Sequence, residues 1–213
     1  MTVLLLAHVA DSTLNIATQR VQTSWQWYVI RAAGILSAGL LVLLMLSGIG
    51  QVTGLTYKFI EPVKAWALHK AMAIALCICL FIHILFLLVD KFVPFSIPQV
   101  LIPFLSHVNN GSSLFGWALG GLAVSFGILA MYGVVIIVLS SLGWIDTHQK
   151  TWRWLHYTGY VVMGLVFLHV LYVGTDFAHG FWRWLWIGLG LLILAGVISR
   201  LRRVGSLRKT EVE

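Results

Sequence analysis

Four histidines stand where ionisable residues are least expected. His69 and His83 lie fourteen positions apart in the apolar stretch LHKAMAIALCICLFIH, and His156 and His169 lie thirteen apart in WRWLHYTGYVVMGLVFLH. An ionisable residue inside a membrane span marks a functional site by default. A neutral imidazole is a good iron ligand, and two at one depth can clamp a haem from both faces. Helix rise separates the members of each pair by about 20 Å, so two helices present imidazoles at two matched depths. A zinc site needs ligands converging on one point, which that separation prevents. Sites between facing bundle helices are a known way to hold a haem, and two of them stacked across a bilayer make a path for electrons. The phases agree only in part. Fourteen residues return an ideal helix to within about 40° of its starting face, but thirteen fall about 140° short of four turns. The second pair therefore implies either a distorted helix, with Gly159 and Gly164 between the histidines, or haems that approach it from different sides.

The other polar residues are secondary. His8, His107, His148 and His179 fall in tails, loops or span ends and read as surface residues; His148 is placed to reach an inner haem edge, and His107 or His179 an outer one. Arg31 lies a few positions into an apolar run. It either snorkels to the headgroups or pairs its guanidinium with an outer haem propionate or a bound anion. Lys64, Lys70 and Arg153 sit where inner propionates would be, although cations belong at that boundary in any case. Cys77 and Cys79 diverge by about 200° on a helix and cannot pair with each other; they read as small buried hydrophobes.

The elements that must position these residues follow from composition. The chain has 213 residues, 60% hydrophobic and 10% charged, with a mean hydropathy of +0.93. A soluble domain averages about a quarter charged residues, so a soluble fold and disorder are both excluded. Apolar runs of about twenty residues fit spanning helices, and no short alternating segments suggest a barrel. The fold class is all-α, a polytopic membrane helical bundle with five transmembrane helices. The spans are Tyr28–Ile49, Val63–Val89, Leu114–Leu142, Trp152–Val173 and Phe181–Ile198. The basic tail (Arg200, Arg202, Arg203, Arg208, Lys209) and the bases near residues 50–70 and 150–153 set an N-out/C-in orientation. Residues 1–24 form an extracytoplasmic segment, 25–200 the haem-bearing domain and 201–213 a basic cytoplasmic tail. The opening MTVLLLAHVA lacks a basic n-region and is too short to span. The 90–113 loop, with three prolines, reads as an interfacial segment on the outer surface. Tryptophans near span ends, Trp25, Trp27, Trp144, Trp152, Trp154, Trp182 and Trp184, read as interfacial anchors, and Gly116-x-x-x-Gly120 as ordinary close packing. All seven carboxylates lie in tails or at span boundaries.

The paired histidines and their surroundings resemble the ferric reductase-like transmembrane domain, a superfamily that includes NADPH oxidases, yeast-type ferric reductases and the haem subunit of a bacterial methionine sulfoxide reductase system. The segments WYVIRAAG, KFVPFSIPQVLIPF, LSSLG and LYVGTDF are similar to a bacterial subgroup of stand-alone members, and the likeness runs over roughly residues 25–200. It implies two haem b groups, the inner held by His69 and His156, the outer by His83 and His169. It also implies that Arg31 stands for an arginine beside the outer haem. Five spans are visible where the full family core has six, and the expected flavin and nicotinamide domains do not follow the last span. The electron donor is then a separate flavoprotein reductase, a small reductant or a quinone.

These readings converge on a di-haem b cytochrome of the cytoplasmic (inner) membrane, an oxidoreductase or electron-transfer subunit. It passes electrons outward from a separate donor to an external acceptor. No side chain resembles a nucleophile or an acid–base pair, so the chemistry belongs to the cofactor. The net charge of +7 sets topology and does not point to nucleic acid. A second class is the membrane-anchor cytochrome b subunit of a larger oxidoreductase exchanging electrons with quinone. A third, a haem-free transporter or proton channel with histidine relays, is disfavoured by the scarcity of acid and the lack of broken, charged helices.

Overall fold

The computed structural model describes residues 2–91, 94–108, 113–114 and 117–210, with side chains described over 25–91, 94–108 and 119–202. Five helical stretches are long and apolar enough to cross a membrane: Trp25–Val52, Pro62–Val89, Leu119–Gly143, Gln149–Val173 and Gly180–Arg202. The five expected spans are all present. The first is the second half of α1 (Thr2–Val52), whose 51 residues extend about 76 Å, more than twice the hydrocarbon core. The second is α2 (Pro62–Val89), which starts with proline in its first turn, where no amide is needed. A short helix, α3 (Ile97–Leu101), sits in the long loop with a capping box between Ser96 and Gln99. The third span, α4 (Leu119–Gly143), begins five residues later than its apolar run suggests. Ser113–Leu114 instead pairs antiparallel with Trp117–Ala118, a small exception to the all-α character.

The fourth span is two helices, α5 (Gln149–Tyr157) and α6 (Gly159–Val173), joined at Thr158. The Thr158 amide donates to Leu155 O, an i→i−3 bond, and its hydroxyl closes on the same carbonyl at 2.6 Å. The interruption lies between the two histidines and carries no charged residue. A 3₁₀ turn over Thr175–Phe177 leads into α7 (Gly180–Thr210), the fifth span and the beginning of the tail.

Packing separates the helices into holders and held. Hydrophobic burial supplies little drive between helices in lipid, so association depends on close van der Waals fit and small residues. The buried side chains concentrate on α1 (Ile30, Ala33, Ala38, Leu41, Val42) and α4 (Ala123, Val124, Ile128, Ala130, Val134). By contrast α2 buries only Ala65 and Leu76 and turns most of its length outward. It packs chiefly on α1, and α6 chiefly on α4, whereas the histidine-bearing α2 and α6 do not form a packed pair.

The loop end of the bundle is tied down. Ser125, fully buried on α4, accepts the Phe104 amide at 2.7 Å and donates to Gly121 O. Tyr132 Oη donates to Leu101 O. Gly120, read as a position of ordinary close packing, admits the carbonyl of Val108; Gly116 lies outside the described residues. Near the 174–180 turn, Phe177 and Trp186 are buried ring against ring, and Trp186 stacks on Phe167 at 14° while donating to its carbonyl.

Candidate functional site

Two of the four histidines, His83 and His169, occupy the same kind of seat, built from a neighbouring helix. On the side of the long loop, His83 of α2 donates its Nδ1–H to Ile30 O of α1 at 2.9 Å. A Cβ placed on Gly34 would stand 3.1 Å from the same imidazole. His169 of α6 donates its Nδ1–H to Ala123 O of α4 at 2.7 Å, and a Cβ on Gly127 would come within 2.6 Å of Nδ1. The two seats share a pattern: a carbonyl at position i and a glycine at i+4, one turn on along the same face. The glycine removes the side chain that would keep an imidazole away from the carbonyl. Since a carbonyl can only accept, Nδ1 carries the proton in both residues and Nε2 keeps its lone pair. That is the tautomer of a metal-ligating histidine, oriented through its second nitrogen.

On the side of the basic tail, His69 and His156 face one another, with ring centroids 6.2 Å apart and planes at 48°. Imidazole–metal bonds of about 2 Å on either side of one ion place ring centres roughly 6 Å apart. Ser47 Oγ lies 2.8 Å from His69 Nδ1, and Gln51 Nε2 donates to the same hydroxyl. A hydroxyl can accept from Nδ1–H, which suits the ligand tautomer. Gly48 lies beside His69, but a Cβ there would be at 3.7 Å, an ordinary contact. His156 is held differently. Trp152, one turn earlier on α5, packs its ring 5.3 Å from the imidazole and donates Nε1–H to Ser141 Oγ of α4. His156 Nδ1 is buried without a hydrogen-bond partner among the described residues.

Arg31 does not stand free. Its Nε donates to Asp176 Oδ2 at 2.9 Å and its Nη2 pairs with Oδ1, a forked contact between α1 and the turn after α6. This hydrogen bond is the main reason the Asp176 carboxyl is held below the ordinary carboxylate value. The other candidates scatter. His107, His148 and His179 are exposed, and His148 bonds Thr147 beside Trp144. Lys64 pairs with Glu61, Lys70 covers Trp66 and Arg153 is exposed. His8 lies where side chains are not described.

Among the described residues, no three His, Cys, Asp or Glu side chains converge as a metal site. A tetrapyrrole iron needs only two axial ligands from the protein, so a cluster of three is not required of it. The residues fit that group: His83 and His169 are fixed through Nδ1, the rings of His69 and His156 stand 6.2 Å apart, and α2 and α6 are not packed together. The model of the ferric reductase-like transmembrane component matches residues 33–167. The chain belongs to the ferric reductase-like transmembrane family. No curated protein and no solved structure matches it. The family match takes in His69, His83 and His156, with the seats at Gly34, Ser47, Gly48 and the Ala123–Gly127 turn; Arg31, His169 and Arg200 lie beyond it. As a multi-pass membrane protein of this family, it has a transmembrane electron-transfer role and a redox partner.

The seats are what reading the histidines alone misses, yet α1 carries a signal for them. Gly34 and Gly48 are fourteen residues apart, as are His69 and His83. In antiparallel neighbours that match sets each glycine opposite one histidine. Trp152, read as an interfacial anchor, is also a wall of the tail-side site.

Proposed function

We propose that the chain is a di-haem b cytochrome of the cytoplasmic membrane, N-out/C-in, that carries electrons from a separate donor on the tail side to an acceptor on the loop side. The observation that carries this reading is the repeated carbonyl-and-glycine seat, which accepts a hydrogen bond from Nδ1–H of His83 and His169 and so leaves the Nε2 lone pair to bind. Haem iron, when bound, supplies reversible one-electron chemistry at each depth. The protein's part is to place, orient and insulate. His69 and His156 would hold the tail-side group, with Ser47 orienting one imidazole and Trp152 covering the other. His83 and His169 would hold the loop-side group, backed by α1 and α4. Arg31 gives Nε and Nη2 to Asp176, which leaves Nη1 for a propionate. The donor is a flavoprotein reductase or a quinone, as the family's redox role and the basic tail support.

The decisive measurement is a reduced-minus-oxidised visible spectrum of the purified full chain, together with haem stoichiometry. Two low-spin b-type haems per chain are expected. Protein purified from haem-replete cells without bound haem would refute the reading.

A further inference from the structure

The break in the fourth span and the end of the fifth meet at Arg200. Its guanidinium lies over the ring of Tyr157 at 4.9 Å and that of Tyr160 at 5.7 Å, and it donates to Tyr160 Oη. Tyr157 is the last residue of α5 and Tyr160 the second of α6. One side chain of α7 thus bridges both sides of the interruption at Thr158. Tyr157 directly follows His156 and Tyr160 lies four positions beyond it, so the guanidinium is fixed against the segment that carries this imidazole.

Among the described residues, no carboxylate pairs with this charge. Arg200 rests instead on two aromatic faces and a phenol. Cation–π contact holds a guanidinium without neutralising it, and arginine keeps its proton at any working pH. A partly buried charge is also screened by salt far less than one in open water.

We propose that Arg200 is a positioning residue for the tail-side centre: held by Tyr157 and Tyr160 across the break at Thr158, it keeps a permanent positive charge beside His156 and raises the reduction potential of the iron bound there. Reduction of ferric to ferrous iron removes one positive charge, so a fixed cation favours the reduced form. The electron comes from the donor on that side, reduced flavin or quinol, which gives up two electrons in turn and releases its protons to water; at the iron no bond is made or broken. The inference rests on the di-haem reading above.

The test is a spectroelectrochemical titration of the full chain in lipid nanodiscs, comparing wild type with Arg200→Gln, Arg200→Lys and Tyr160→Phe. The tail-side component is the one missing from His156→Ala. Arg200→Gln is expected to leave that component about tenfold less reduced at a fixed ambient potential, a fall of about 59 mV for a one-electron couple, with the loop-side component unmoved. Arg200→Lys should recover most of the shift, and Tyr160→Phe should show a smaller fall of the same sign. Unchanged potentials in Arg200→Gln, or equal shifts of both components, overturn the proposal. Should Arg200→Gln not fold, Tyr160→Phe decides, and a tail-side potential equal to wild type overturns it. Wild-type protein without haem bands sinks the di-haem reading itself, a separate and recognisable result.

Discussion

At the residue scale, the glycines opposite the histidines carry as much of the site as the imidazoles do. The distances rank what a methyl group would do at each seat. At Gly127 a Cβ meets the His169 ring at 2.6 Å, below any tolerable contact, while at Gly48 it would lie 3.7 Å from His69. Overpacking of the first kind typically costs about 1–3 kcal/mol. Gly127→Ala is therefore expected to lower thermal stability by that amount and to lose the loop-side haem, whereas Gly48→Ala keeps both haems; equal haem content in the two variants would remove the argument. Asp176 offers a second check. Its folded carboxyl is depressed by the hydrogen bond from Arg31, so the stabilisation is complete above the unfolded value of about 3.9. It is lost as pH falls through the lower folded value. The pair is partly exposed, which limits its worth to about 1 kcal/mol. Asp176→Asn should melt slightly earlier at pH 7 and lose that deficit as the pH is taken toward 3; a gap that stays constant counts against the pairing.

At the element scale, the helices without ligands decide where the ligands point. α1 contributes Ile30 O, Gly34, Ser47 and Gly48, and α4 contributes Ala123 O, Gly127 and the Ser141 hydroxyl that holds Trp152. The thirteen residues between His156 and His169 run across two helices, divided at Thr158. Each helix takes its phase from its own neighbours. One alanine inserted between Thr158 and Gly159 should turn His156 by about 100° relative to His169. The expected outcome is loss of the tail-side haem with the loop-side haem retained, read by stoichiometry and by the surviving component in a redox titration. Retention of both haems would show that the break does not set the phase. The sequence contains the spans, both pairs of histidines and the two glycines fourteen apart. The break was legible only as a conflict of phase, because nothing in the string Tyr157-Thr158-Gly159-Tyr160 separates a kink from a straight helix.

At the scale of the whole molecule, five crossings put the two ends of the chain on opposite sides of the membrane. Reporter fusions at the N- and C-termini should therefore report opposite compartments, with the C-terminal one cytoplasmic; both on one side would rule out the five-span arrangement. The bundle is two packed pairs, α1 with α2 and α4 with α6, joined through contacts of α1 with α6 and α7. A haem between α2 and α6 would bridge the two pairs, so its removal should loosen the molecule as a whole.

The sequence by itself determined that this is a membrane protein of five spans with imidazoles at two depths, because bilayer thickness and helix rise convert apolar runs and spacings directly into positions. It also carried the family. Only the tertiary structure decided which backbone carbonyls accept hydrogen bonds from the Nδ1–H groups of His83 and His169, that Arg31 is bound to Asp176, and that Arg200 lies across the break on Tyr157 and Tyr160. Each of these joins residues from helices far apart in the chain, and such contacts depend on rotation about helix axes that composition and periodicity do not fix.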